Sequence, residues 1–314
     1  ALSLIKVEYE PLPAVFDPDA AMEEGAPRVH DVIERGTTTS WEDWGVGRKS
    51  RPYLAEHNIA GTFHVGFGDV EKGFGESDYI REDRFVIAAN SCAAMEPHAT
   101  VASYDSIHST LDVWTGHMGY ELKRFWLAKA LGMPLSKVRF HKVYTGGAFG
   151  GTKPLLQPYD VIACLLSKKS GRPVRVVLSR EEVFLACKSS HRMIFDLKTG
   201  VKKDGRIVAQ QMRIINDPGA YRGSSPIPMF LSYAFSSPVF EIPNLEVDGV
   251  AVYTNNPCCM AKRGHGVPQA RCAIDSQMDM IARDLGLDPV ELACLLYTSP
   301  SPRDLSTSRM PSSA

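Results

Sequence analysis

The chain has 314 residues, 44% of them hydrophobic, enough to bury a full core and by length to make about two domains. With 35 basic against 36 acidic residues and a formal net charge of -1, nothing draws it toward nucleic acid or a membrane surface. No apolar run approaches the roughly 18 residues of a bilayer span, and Ala1-Leu2-Ser3-Leu4-Ile5-Lys6 lacks the shape of a signal peptide. Seven cysteines, odd in number and without a C-x-x-C pair, argue against a disulfide framework, a zinc ribbon or an iron–sulfur site. Reduced thiols in a cytosolic setting follow.

Ile5-Lys6-Val7-Glu8-Tyr9 reads as a short strand, with one or two helical turns over residues 20–24. Residues 35–84, rich in Gly, Thr, Ser and charge and holding Trp41 and Trp44, read as a linker with one strand near 61–67. A boundary near residue 84 follows. Residues 110–114 alternate as a half-buried strand should. Residues 119–131 predict a helix with Leu122, Phe125, Trp126 and Leu131 toward the core, stopped by Gly132 and Pro134. A strand over 138–144 then delivers the chain into Gly146-Gly147-Ala148-Phe149-Gly150-Gly151.

Residues 157–169 predict a helix with Ile162, Leu165 and Leu166 inward and Gly171 past its end. A strand over 174–178 comes next, and 192–203 pairs with 207–215 through the Asp204-Gly205 turn. After a strand over 246–253 stands a second loop, Ala261-Lys262-Arg263-Gly264-His265-Gly266. It opens a helix over 268–285 with Ala270, Ile274, Ile281 and Leu285 inward and Gly286 as its cap. Asp288-Pro289 starts one more helix. From about Cys294 the chain becomes Ser-, Pro- and Thr-rich without hydrophobic period, which predicts disorder. The fold class is α+β, or mixed α/β.

Both glycine loops stand before a helix, where bare backbone amides and a positive helix end suit an anionic ligand. The first is neither a Walker loop, since Gly151 is followed by Thr152-Lys153, nor a G-x-G-x-x-G fingerprint. The plain alternative is a tight strand-to-helix turn, in which Phe149 is a core plug and not a wall beside a ligand. In the second loop Arg263 suits bidentate capture of an oxyanion, and the glycines flanking His265 permit reach into a cleft. Glu96 and His98 either do acid–base work or hold their loop by bonding to backbone. Met118, in the corner Trp114-Thr115-Gly116-His117-Met118-Gly119, is by type a packing residue.

Together these residues resemble the large molybdenum subunit of the xanthine dehydrogenase and aldehyde oxidase family. The resemblance rests on Val7-Glu8-Tyr9-Glu10-Pro11-Leu12-Pro13, Ala94-Met95-Glu96-Pro97-His98, the first glycine loop, Gly171-Arg172-Pro173-Val174, Asp217-Pro218-Gly219-Ala220-Tyr221, and Arg263-Gly264-His265-Gly266 with Gln269. It implies that residues 1–34 end an α/β-hammerhead domain and that residues 85–293 form much of a first molybdopterin-binding domain. It also implies a molybdenum held by a pterin dithiolene, with or without a cytosine dinucleotide, and no direct protein ligand to the metal. Gly147, Phe149, Gly150, Arg263, Gly264 and Met118 would contact that cofactor, and His265 would face the substrate. The implied reaction is hydroxylation of an aromatic, heteroaromatic or aldehyde carbon. Iron–sulfur clusters and FAD would sit on partner subunits of a heterotrimeric, dimerised, cytoplasmic complex.

His265 in Arg-Gly-His-Gly resembles the 4-hydroxybenzoyl-CoA reductase branch, which runs the centre in the reducing direction. Met118 stands where the family carries a glutamine, and Lys153 where it carries a glutamate just after the glycine loop. The general-base glutamate belongs to a second domain, so residues 1–293 alone are expected to be inactive. A catalytically dead scaffold that keeps the fold is the alternative. Residues 294–314 depart from the family and resemble translated sequencing-adaptor read-through at the end of an assembled environmental read.

Overall fold

The computed structural model describes residues 4–31, 57–116, 119–151, 156–235 and 240–296. Its elements in order are α1 (Pro18–Ala21), β1 (Ile59–Phe67), α2 (Val70–Gly75), β2 (Tyr79–Ile87), β3 (Ala99–Asp105), β4 (Thr110–Thr115), α3 (Tyr120–Leu131) and β5 (Val138–Lys142). There follow α4 (Pro158–Ser170), β6 (Val174–Val177), α5 (Arg180–Ala186), β7 (Arg192–Val201), β8 (Ile207–Gly219), α6 (Pro226–Ala234), β9 (Asn244–Tyr253), α7 (Val267–Leu285) and α8 (Pro289–Leu296). The strands make a five-stranded sheet, β1-β9-β8-β7-β2, and a four-stranded sheet, β5-β4-β3-β6. Each holds one parallel pair, β8 with β9 and β4 with β5, and the crossover that such a pair requires runs through α6 and α3 respectively.

The hairpin of β7 and β8 turns at Gly205, whose positive φ of 88° lets its amide donate back to the Lys202 carbonyl at 2.9 Å. One face of the large sheet, with Phe63, Phe195, Met212 and Ile214, packs on Ala270, Ile274, Met278 and Ile281 of α7 and on Met229 of α6. The opposite face carries a row in register across all five strands: His64, Asp248, Arg213, Asp196 and Arg84. His64 meets Asp248 at 2.8 Å and Arg84 meets Asp196 at 3.1 Å.

Several expectations are corrected. Residues 57–84 are not linker: they supply the sheet's two outer strands and α2 between them. Residues 35–56, with Trp41 and Trp44, lie outside the described residues. Ile5 to Tyr9 form no strand and are exposed, while Val15 and Ala21 pack on Ile194, Ile215 and Val252 of the five-stranded sheet. Asn58 fastens this segment, donating to the carbonyls of Ala21 and Pro27 at 3.0 Å each. The helix α8 continues through Cys294 to Leu296 with Leu296 buried, so the disorder expected from 294 does not begin there. Residues 297–314 lie outside the described residues.

On α3 and α4 the inward faces are rotated from those expected, although Leu131 packs on the core as read. Leu122, Phe125, Trp126, Ile162, Leu165 and Leu166 are all about half exposed, and the buried residues are Lys123, Leu127, Ala128, Tyr159, Asp160, Ala163, Cys164 and Ser167. The reason is polar. Lys123 and Asp160 form an ion pair at 3.6 Å with both side chains fully buried. Asp160 also accepts from the Thr100 hydroxyl and, at 3.0 Å, from the Gln157 amide, and Thr100 reaches Thr115 at 3.2 Å. A buried charge must be compensated, and turning each helix to meet its partner outweighs hiding a few aliphatic groups. Asp160→Ala, which strips Lys123 of this counter-charge, is therefore expected to lower the unfolding free energy by about 3–5 kcal/mol in denaturant titration. The double variant Lys123→Met/Asp160→Leu should recover most of that loss.

Candidate functional site

The strand β5 runs into the first glycine loop, where Gly147, Phe149, Gly150 and Gly151 all have positive φ, of 101°, 52°, 91° and 65°. The second loop, before α7, has Gly264, His265 and Gly266 at 87°, 36° and 100°. Phe149 and His265 are thus non-glycine residues held in a conformation that L side chains seldom adopt. The loops bond to each other. The Arg263 amide donates to the Phe149 carbonyl at 2.9 Å, and the Gly151 amide donates to the Ala261 carbonyl. These two bonds make an antiparallel bridge centred on Gly150 and Lys262. A Cβ on Gly150 would collide with the Ala261 carbonyl oxygen, so glycine is required there for the approach.

The structure brings Gly147, Phe149, Gly150, Arg263, Gly264 and His265 into one neighbourhood, whereas Met118 and Lys153 lie outside the described residues. One part of the expectation changes. The helix α4 begins only at Pro158, with a reciprocal Gln157–Asp160 capping box closing its first turn, so the donors at the first loop are the loop's own amides. Among the described residues no acceptor meets the amides of Gly147, Ala148, Phe149 or Gly150. Phe149 is half exposed with its ring over Gly147, as a wall and not a core plug.

Glu96 proves to be a loop holder: its carboxylate accepts from the Gly146 amide and its own amide donates to the Gly146 carbonyl at 3.2 Å. Arg180 clamps the same turn through the carbonyls of Ala94 and Met95 at 2.6 and 2.9 Å. His98 is buried, and its carbonyl accepts from the Leu178 amide at 2.9 Å.

Beside the bridge lies a cavity of about 240 Å³ whose lining includes Asn90, His191, Lys262, Arg263, His265 and Gln269. His191 carried no signal in the sequence, because its neighbour His265 is brought close only by the tertiary fold. The two rings stand 5.6 Å apart and tilted, and Ser224 Oγ lies 3.2 Å from His265 Nε2. Burial pushes the His265 imidazole down to about 4. Burial and then the neighbouring His265 push His191 down to about 3. A second, larger cavity of about 920 Å³ lies over the charged row of the five-stranded sheet, where opposite charges already pair.

An amide-lined glycine loop bridged to an Arg-bearing loop is an arrangement that suits an anionic group. The chain belongs to the molybdopterin cofactor-binding domain of the xanthine dehydrogenase/aldehyde oxidoreductase family, whose family model, described as "Molybdopterin cofactor-binding domain", matches residues 53–294. It is 33% identical over 295 residues to the nicotinate dehydrogenase large molybdopterin subunit of Eubacterium barkeri, covering 94% of this chain and 63% of that one. It is 28% identical over 304 residues to a xanthine dehydrogenase molybdenum-binding subunit of Escherichia coli, covering 93% of this chain and 35% of the relative. The crystal structure of quinoline 2-oxidoreductase from Pseudomonas putida 86 superposes with a TM-score of 0.80 at 28% identity, over 96% of this chain and 36% of that chain. This chain therefore spans 63% and 35% of the lengths of these two curated relatives. Among the described residues no helix is long and apolar enough to cross a membrane.

Both histidines have folded values below the roughly 6.5 of an unfolded chain, so the unfolded state binds more protons as acid is added. Their contribution is complete above about pH 6.5 and is lost as pH falls from there toward the folded values, at up to about 1.4 kcal/mol per pH unit for each group. Denaturant-measured stability should fall between about pH 6.5 and 4, and His191→Gln should flatten that limb of the profile relative to wild type.

Proposed function

We propose that this chain is the cofactor-gripping part of the catalytic subunit of a molybdenum hydroxylase-type oxidoreductase, acting on an aromatic, heteroaromatic or aldehyde carbon. The observation that carries the reading is the bridge at Gly150 and Lys262, which leaves a row of amide donors and the Arg263 cation at one rim. A Cβ on Gly150 would collide with the Ala261 carbonyl oxygen, so the bridge and the amide row it presents depend on that glycine. The donor set also fits a group held by hydrogen bonds and charge and not by side-chain ligation.

In this reading the amides of Gly147, Phe149 and Gly150, with Arg263 and Gly264, hold the molybdopterin cofactor, and Met118 is a further contact by the family resemblance alone. When bound, the cofactor supplies the two-electron redox centre. His265 presents a ring that is uncharged near neutral pH, and the Ser224 hydroxyl fixes its tilt toward the substrate. The general-base glutamate belongs to a further part of the subunit, in keeping with the greater length of the relatives. An iron–sulfur subunit and an FAD subunit complete a dimerised, cytoplasmic complex, a location that the seven free cysteines suit. A cytosine dinucleotide form of the cofactor belongs to the same reading. The narrower assignment, reductive dehydroxylation of 4-hydroxybenzoyl-CoA, rests on His265 within Arg-Gly-His-Gly. Met118 and Lys153 favour the second reading, a scaffold that keeps the fold without the chemistry.

Molybdenum and pterin analysis of the full-length subunit, assembled with its neighbours, separates the two. The wild type should carry stoichiometric molybdenum, and Gly150→Ala should lose about tenfold in cofactor retention, equivalent to about 1.4 kcal/mol of binding. A properly assembled wild type devoid of molybdenum overturns the enzyme and leaves the scaffold.

A further inference from the structure

The cavity beside the bridged loops has a chemistry that holding a cofactor does not explain. Every ionisable side chain on its wall is basic: Lys262, Arg263, His191 and His265. Among the described residues no carboxylate lines it. His191 is 1% exposed, and its Nε2 meets no hydrogen-bond partner among the described residues. A buried polar atom without a partner needs a water or a ligand group to bond to, and His191 lines the cavity where one can enter. The site is also braced. Lys262 Nζ donates to Asn90 Oδ1, and Asn90 is bonded in both directions to the Ser190 backbone and hydroxyl, at 2.9 and 3.0 Å. Gln269 Nε2 donates to the His191 carbonyl at 3.4 Å. The remaining walls include Ile87, Met260 and Pro268, which are apolar.

Resting on the proposed function, we propose that this cavity is the substrate subsite for the carboxylate of an aromatic or heteroaromatic monoacid, with Lys262 and His191 Nε2 as its donors. The Lys262 cation with a neutral imidazole donor matches one negative charge, Arg263 being taken by the cofactor, and the apolar walls match the edge of a flat ring. The imidazole acts as donor in the tautomer that carries its proton on Nε2, which its burial favours over the imidazolium. At about 240 Å³ the cavity is below the usual range for a drug-sized ligand and suits a single ring. His191 and Lys262 are then specificity-determining residues that act on the substrate and not on the cofactor.

Calorimetric titration of the full-length assembled subunit with benzoate, with its neutral isostere benzamide and with inorganic phosphate tests the proposal. Benzoate should bind about tenfold or more tightly than benzamide, a margin of about 1.4 kcal/mol. His191→Phe and Lys262→Met should each bring the two ligands near parity. Lys262 sits on the partly exposed rim, so its variant keeps the test valid where the His191 variant does not fold. Equal binding of benzoate and benzamide by the wild type would sink the subsite, as would phosphate that displaces benzoate at comparable concentration. Benzoate preference in molybdenum-free protein would uphold the subsite while the enzyme reading fails. Molybdenum-replete protein with no preference defeats the subsite alone.

Discussion

Two backbone hydrogen bonds, from Arg263 to Phe149 and from Gly151 to Ala261, are what the candidate site depends on. They join a loop that ends a strand of one sheet to a loop that opens the longest helix packed on the other. No side chain is needed for the junction, and at Gly150 none is tolerated. Because the two strained residues, Phe149 and His265, lie directly beside it, the bridge also holds them in conformations they would otherwise leave. The cation, the amide row and the paired imidazoles are neighbours for that one reason.

The second constraint is a buried polar network in the four-stranded half of the fold. The buried pair of Lys123 and Asp160 joins α3 to α4, and Thr100 and Thr115 carry the network into β3 and β4. These helices and strands frame both approaches to the glycine loop. A polar network of this kind is costly when incomplete and specifying when complete. Its geometry explains why Leu122, Phe125, Trp126, Ile162, Leu165 and Leu166 stand half exposed while Leu127, Ala128, Ala163 and Cys164 pack inward.

What was legible in the sequence was local. The Asp204-Gly205 turn, the glycine caps at 132, 171 and 286, and the stripe of α7 each write their structure within a few residues, and all appear as read. The two loops were also recognisable by their glycines, and the fold brings them together. What was missed depends on distant partners. The strand β2 looks too charged to be sheet because Arg81 bonds to Asp284 on α7, 203 positions away, and Asp83 to Gln277. The helix faces were misjudged because hydrophobic periodicity cannot see a buried ion pair. His191 has no local pattern at all, and only its approach to His265 and its partnerless nitrogen make it notable.

The ordered row across the five-stranded sheet has an effect beyond its own stability. Imidazole, carboxylate, guanidinium, carboxylate and guanidinium succeed one another strand by strand, so at any distance greater than the spacing of the row their fields largely cancel. Lys262 and Arg263 have no such company among the described residues of their cavity. The mouth of that cavity thus keeps a positive local field that the sheet's row does not have, on a chain whose formal net charge is only -1.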